Sequence, residues 1–147
     1  MKTLPLTNSW KPILIDDEDF EFFRKFNWYL RSGYAATTTA DHTKMHQMLG
    51  FYKPDHADRN KLNNQKYNLR AATSSQNCAN VPKNKITASK YKGIDYVKSK
   101  NHWRVRVKSN STSIYCGTYL TEELAARAYD EYARKYHGEF AVLNFPQ

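Results

Sequence analysis

The sequence predicts an α+β chain of two small units, the second a three-stranded antiparallel sheet packed on one helix. Three observations carry this expectation. Across residues 81–89 the composition turns to VPKNKITAS, polar and basic with one proline, which reads as a linker. Beyond it, three short segments with strand-like alternation, 92–98, 103–108 and 113–119, precede a segment whose apolar residues recur at three- and four-residue spacing. The full length of 147 residues suits either one ordinary domain or two very small ones, and the break favours two. The expected division is 1–80, a basic linker at 81–88, and 89–147.

In order along the chain, KPILIDD supplies a short apolar strand, after which Asp16 and Asp17 open an acidic helix start ahead of Phe20, Phe22, Phe23 and Phe26. The four phenylalanines read as core. Asn27-Trp28-Tyr29-Leu30 and Tyr34-Ala35-Ala36-Thr37 flank Ser32-Gly33 and predict a β-hairpin with a tight turn. A short helix over 43–49 would then carry His46. In the second unit, Thr121-Glu122-Glu123 gives an N-cap and an acidic first turn. Leu124, Ala125, Ala128, Tyr129 and Tyr132 would form the face that covers the sheet, and Gly138 marks the helix stop.

The net charge is +9, and its distribution is uneven. Residues 1–80 hold 11 Lys or Arg against 8 Asp or Glu, whereas 81–147 hold 12 against 6, and the stretch 81–110 holds 9 against 1. A basic segment interleaved with aromatic residues is what a phosphate backbone attracts through counterion release. No apolar run approaches the roughly 20 residues needed to span a membrane, and Met1–Leu6 is followed at once by polar residues, so neither a membrane span nor a signal peptide is expected. The expected location is cytoplasmic. Cys78 and Cys116 are far apart and in no CxxC pattern, which argues against a disulfide scaffold and against zinc; Cys116 in SIYCGTYL reads as a small buried hydrophobe.

The chemistry concentrates in DHADRNKLNNQKYNLRAATSSQN, residues 55–77. Asp55 and His56 set a hard anionic oxygen beside an imidazole, while Asn68 and Asn77 add neutral amide groups. Oxygen-rich sites favour Mg²⁺, with Mn²⁺ also suited, and such an ion neutralises charge at a phosphorus centre. A histidine with an ordinary pKa of about 6.5 can take a proton from water at neutral pH. By composition alone, the same residues would also suit a solvated loop.

Order and spacing go further. Met45-His46-Gln47-Met48-Leu49, Asp55-His56, Lys61-Leu62-Asn63-Asn64, Asn68-Leu69-Arg70 and Ser75-Gln76-Asn77 resemble the HNH homing endonucleases of the ββα-metal type. The resemblance implies His56 as general base, Asp55 and Asn77 as metal ligands, and Asn68 as a brace for the loop that aims His56. It leaves open whether His46 is functional or structural. Two departures stand out. Gln47 replaces a frequent arginine, and Arg59 replaces a frequent loop glycine, so the loop is expected to take another path.

The second unit resembles the ethylene-response-factor, or APETALA-two, DNA-binding domain through Ser89-Lys90-Tyr91-Lys92-Gly93-Ile94, Trp103-Arg104-Val105-Arg106-Val107, Cys116-Gly117-Thr118-Tyr119, the AARAYDEYARKYHG helix and Ala141-Val142-Leu143-Asn144-Phe145-Pro146. That family lays its sheet in the major groove, and the resemblance places Lys92, Arg104, Arg106, Lys108, Ser113 and Tyr115 at or near the DNA-facing positions. Alternation independently puts Arg104, Arg106 and Lys108 on one face and Trp103, Val105 and Val107 on the other. The family's second first-strand arginine is here Asp95; its third-strand arginine and tryptophan are Ser113 and Tyr115.

Together the two resemblances imply a metal-dependent, site-specific endonuclease of double-stranded DNA, of phage or intron type, that nicks as a monomer and needs no obligate protein partner. The rival readings are a non-catalytic DNA-binding regulator with a degenerate nuclease unit, and an RNA-binding protein that works through aromatic stacking.

Overall fold

The computed structural model describes residues 1–83 and 88–146, so positions 84–87 of the expected linker lie outside the described residues. Two compact units are present, Met1–Ala72 and Thr73–Gln147. The division falls after Ala72 rather than after Asn80, which assigns residues 73–80 to the second unit.

The first unit opens with an antiparallel pair, β1 (Lys2–Leu6) and β2 (Ser9–Ile15), in which Leu4, Leu6, Ile13 and Ile15 turn inward. Strand β1 escapes a reading of the sequence because Pro5 interrupts it. Proline is tolerated here because a two-stranded sheet has only edges, and the register shifts between Leu4 and Leu6. A single-turn helix, α1 (Phe20–Phe23), follows. Of the phenylalanines expected in the core, Phe23 is buried and Phe20 and Phe26 pack at its edge, but Phe22 is 52% exposed. One helical turn cannot point four consecutive-turn positions inward.

Strands β3 (Trp28–Arg31) and β4 (Tyr34–Thr37) form the expected hairpin. Its two turn residues, Ser32 at φ 52° and Gly33 at φ 86°, both lie in the left-handed region, as a two-residue turn matched to strand twist requires. Trp28 is buried against Phe23 and Phe26 and donates its indole N–H to the Phe23 carbonyl at 3.0 Å, so the large ring enters the core with its polar atom satisfied. Helix α2 (Met45–Met48) and a two-residue ribbon, β5 (Asp55–His56) with β6 (Leu69–Arg70), complete the unit. The loop between β5 and β6 is sewn to β2: Leu14 donates to the Leu62 carbonyl and accepts from Asn64, both at 2.9 Å. The Asp16 carboxylate adds Lys66 N–H at 2.8 Å and the Gln65 amide at 3.1 Å.

The second unit contains α3 (Ser74–Ala79), β7 (Ile94–Val97), β8 (His102–Ser109), β9 (Thr112–Tyr119) and α4 (Glu122–His137), with the sheet ordered β7-β8-β9 and antiparallel throughout. Ile94, Val105, Val107 and Cys116 on one sheet face bury against Ala125, Ala126, Ala128, Tyr129 and Ala133 of α4. Alanines bring the helix close to the sheet, and each fully buried aliphatic opposite them contributes roughly 1.5–3 kcal/mol. The covering face differs in detail from the expected one: Leu124 is 53% exposed, and Ala126 and Ala133 take its share.

Helix α4 starts at Thr121, whose hydroxyl accepts the Leu124 N–H at 3.2 Å, and ends at Gly138 with φ 53°. Gly93 is forced by proximity, since a Cβ there would lie 2.0 Å from the Tyr129 ring. Asp130, buried in α4, accepts the Asn144 and Phe145 N–H groups at 2.7 and 2.8 Å and fastens the C-terminal segment. No helix among the described residues is long and apolar enough to cross a membrane.

Candidate active site and nucleic-acid interface

In the first unit, Asp55 and His56 are consecutive residues of β5, and both are buried. The partner strand supplies Arg70, directly across from Asp55; its Nε donates to Asp55 Oδ2 at 2.8 Å and its terminal nitrogen lies 2.7 Å from the same oxygen. The His56 ring is 5.7 Å from that of His46, and the Tyr34 ring lies 5.2 Å from His46 and 5.9 Å from His56. Burial pushes the His56 pKa below its ordinary value, against the opposing pull of Asp58 and Asp55, with Lys61 reinforcing the fall. Burial, then His56 and Lys44, lower His46 to about 4. Both imidazoles are therefore neutral near pH 7.

The backbone just past His56 is held by Asn68. Its carbonyl accepts from Ala57 at 2.9 Å, its side-chain oxygen accepts from Asp58 N–H at 2.9 Å, and its amide donates to Asp58 Oδ1 and the Asn63 carbonyl, both at 2.9 Å. Asp58 in turn accepts from Asn60 N–H at 2.8 Å and the Asn63 amide at 2.7 Å. These mutual bonds offset the desolvation of Asn63 and Asn68, which are both buried. Arg59 does not divert the loop by avoiding positive φ, as the sequence leads one to expect. It adopts φ 65° itself while donating its N–H to the His56 carbonyl at 2.8 Å. The Asp58–Asn68 network holds a conformation that glycine would take without strain.

Several residues here carry no sequence signal of their own. Tyr34 begins a hairpin strand, and only the fold brings it against both histidines. The ammonium groups of Lys44 and Lys61 sit 4.4 and 4.5 Å from the Tyr34 ring centre, placing two cations beside the histidine pair. Arg70 could have been noticed as the charged end of the Asn-Leu-Arg step. Gln47 acts locally: its side-chain oxygen accepts the Lys44 N–H at 3.0 Å at the start of α2.

Among the described residues no group of three or more His, Cys, Asp or Glu converges as a closed metal site requires. The donor chemistry of the first unit, a buried carboxylate whose charge acts on the His56 imidazole, would suit an open site for a hard cation completed by water and phosphate oxygens. A carboxylate has about four lone-pair directions, so the Arg70 contact is compatible with that use of Asp55. Asn77 lies on α3 in the second unit, whereas Asp55, His46, His56 and Asn68 all belong to the first.

In the second unit, the strand register places the expected DNA contacts. Arg104 stands opposite Asp95 and Thr118, Arg106 opposite Tyr115, and Lys108 opposite Ser113. Arg106, Lys108, Ser113 and Tyr115 are exposed, while Val105 and Val107 are buried on the helix side. A bulge between Arg104 and Arg106 sets two residues, Cys116 and Gly117, against Val105, and Gly117 meets the demand with φ 107°. Trp103 packs against the helix-side core, its ring 4.9 Å from Tyr96. Lys92 stands apart from the arginine row: its ammonium donates to the carbonyls of Ala79 and Val81, each at 2.6 Å, at the C-terminal end of α3.

Residues 89–139 match the AP2 domain. A protein of Acanthamoeba polyphaga mimivirus, named as an uncharacterized HNH endonuclease, is 34% identical over 131 residues, which cover 82% of this chain and 67% of that protein. An AP2-like ethylene-responsive transcription factor of Arabidopsis thaliana is 47% identical over 47 residues, 32% of this chain and 16% of the factor. A protein of Oryza sativa subsp. japonica with AP2/ERF and B3 domains is 37% identical over 59 residues, 40% of this chain and 16% of its own length.

Proposed function

The chain belongs to the HNH endonuclease family and carries an AP2 domain in its C-terminal half, and from that premise we propose that it is a metal-dependent endonuclease that hydrolyses phosphodiester bonds in double-stranded DNA at sites selected by the AP2 sheet. The observation that supports this most directly is His56, a neutral, buried imidazole beside the Asp55 carboxylate on a loop closed by Asn68.

In this reading His56 takes a proton from water as the water oxygen bonds to phosphorus; the P–O3′ bond breaks, and the departing oxygen gains its proton from solvent, leaving a 5′ phosphate and a 3′ hydroxyl. Asp55 is the first-unit residue that would hold a Mg²⁺ or Mn²⁺ ion, and Asn77 is proposed as a second oxygen ligand on the sequence pattern alone. When bound, such an ion neutralises charge that builds on the phosphate and the leaving oxygen. Arg70 orients the Asp55 carboxylate through their paired contact, and Asn68 orients His56 through the backbone of the following loop. His46 presses on His56 and excludes water from one side of its ring; Lys44 and Lys61 bring positive charge for the incoming phosphate. The order β5, β6, α3 is that of a ββα-metal motif, which we propose for residues 55–79.

A DNA-binding regulator with a degenerate nuclease unit is the alternative. The two departures from the nuclease pattern that favour it, Gln47 and Arg59, both have local structural accounts that leave Asp55, His56 and Asn68 in place. The test is incubation of purified protein with supercoiled plasmid and genomic DNA, with Mg²⁺ or with EDTA, followed by end mapping. Metal-dependent ends bearing 5′ phosphates support the nuclease. Tight, selective binding with intact DNA under every metal condition supports the regulator.

A further inference from the structure

We propose that Asp95 is a specificity-determining residue of the DNA-binding sheet: it fixes Arg106 in a reading orientation and keeps the arginine pair from acting as a general phosphate clamp. The inference rests on the reading that this sheet face meets DNA. Asp95 occupies β7 directly across from Arg104, and the β8 alternation brings Arg106 to the same face. One carboxylate oxygen, Oδ2, receives Arg106 Nε at 3.1 Å and its terminal nitrogen Nη2 at 2.5 Å, and lies 3.5 Å from Arg104 Nη2.

The two arginines are thus held unequally. Arg106 is fastened along its Nε–Nη2 edge by two hydrogen bonds. A guanidinium carries five N–H donors, so this leaves the outer Nη1–Nη2 edge with its parallel pair intact, and that edge matches O6 and N7 of guanine in the major groove. The pairing narrows the rotamer range of the side chain before DNA arrives, which lowers the entropic cost of a directional contact and leaves fewer ways to wrap around a phosphate. Arg104 has only the one longer contact, and its Nε, buried, has no hydrogen-bond partner among the described residues. Asp95 also places a negative charge between two cations on a face that otherwise carries Lys108. That charge repels phosphates of any sequence while leaving a base edge acceptable.

The prediction separates affinity from selectivity. With the full chain in EDTA, so that no cutting occurs, a library of randomised duplexes is selected and sequenced for the unaltered protein and for Asp95→Asn, Asp95→Ala and Arg106→Ala. Asp95→Asn is close to isosteric and keeps the strand. Both Asp95 variants are expected to bind unselected duplex more tightly, with a salt dependence steeper by about one counterion, and to lose on the order of tenfold in preference at one guanine step, within the range of a single bidentate pair.

An Arg106→Ala protein that selects the same sequences as the unaltered chain would overturn the sheet as reader. If Arg106→Ala loses the preference but both Asp95 variants retain the full ratio, the sheet stands and the role of Asp95 falls. A library with no enriched sequence for the unaltered protein overturns both.

Discussion

His46 and His56 meet edge to face with ring centres 5.7 Å apart, and only 4% and 5% of their surfaces reach solvent. Two buried imidazoles at this distance cannot both carry charge cheaply. Protonation of one ring therefore disfavours protonation of the other, and Tyr34 packs against both, its ring centre 5.2 Å from that of His46 and 5.9 Å from that of His56.

Replacing His56 by alanine is expected to lower cleavage by about 10²- to 10⁴-fold, the range for loss of a positioned general base, while DNA affinity measured in EDTA changes little because the AP2 sheet is untouched. Single-turnover cleavage alongside a binding titration checks it. Cutting at the original rate would remove His56 from the mechanism.

The histidine pair also dictates a pH dependence of stability. His46 has an ordinary pKa of about 6.5 in the unfolded chain and about 4 when folded, so between these values the unfolded state binds the proton that the folded state refuses. Stability is full above about pH 6.5 and is lost as pH falls through that window, on the order of 3 kcal/mol from His46. Thermal melts from neutral to acidic pH should show this slope, and His46→Gln should flatten it.

Arg59 at φ 65° predicts a gain from glycine. Relief of left-handed strain outweighs the added freedom of the unfolded chain, so Arg59→Gly should stabilise by about 0.5–1 kcal/mol in denaturant midpoints. Arg59→Ala should not, because it removes the exposed side chain but keeps the Cβ. Equal effects of the two would locate the benefit in the guanidinium instead.

The family resemblance places Lys92 among the DNA contacts, yet its ammonium donates to the Ala79 and Val81 carbonyls. Lys92→Met is expected to leave the salt dependence of DNA binding nearly unchanged and to destabilise the second unit by about 1–2 kcal/mol, the scale of a charge-assisted bond at a helix C-terminus. Faster amide exchange across Ser74–Ala79 would report the loosening. A salt slope reduced by about one with no change in exchange would return Lys92 to the phosphates.

Periodicity made the second unit legible almost element by element, because strands β7 to β9 and helix α4 each bury one face and leave the other polar. Hairpin β3–β4 was equally readable, since Ser32-Gly33 is a local signal for a local turn. Strand β1 was hidden by Pro5, whose fault in a central strand is harmless at an edge. Neighbours in sequence, Asp55 with His56, announced the candidate site, and the spacing of the Asn-Leu-Arg step located Asn68. Tyr34 and Lys44 could not be found this way, and Lys61, though it opens one of the motif steps, carries no sign of its place beside Tyr34: these proximities come from tertiary packing. The Arg59 conformation runs against the sequence expectation because a propensity for φ is a preference of the isolated residue, and the Asp58–Asn68 bonds outweigh it.

The bonds from Lys92 to Ala79 and Val81, with that from Asn110 N–H to Ser75 Oγ at 2.9 Å, bear on how the AP2 unit could be grafted onto another protein. The matched AP2 segment begins at Ser89, but a transplant started there would leave behind α3 and the carbonyls that satisfy Lys92. The exchangeable cassette begins at Thr73, and a shorter graft hands its recipient a stray buried-edge cation in place of a capped helix.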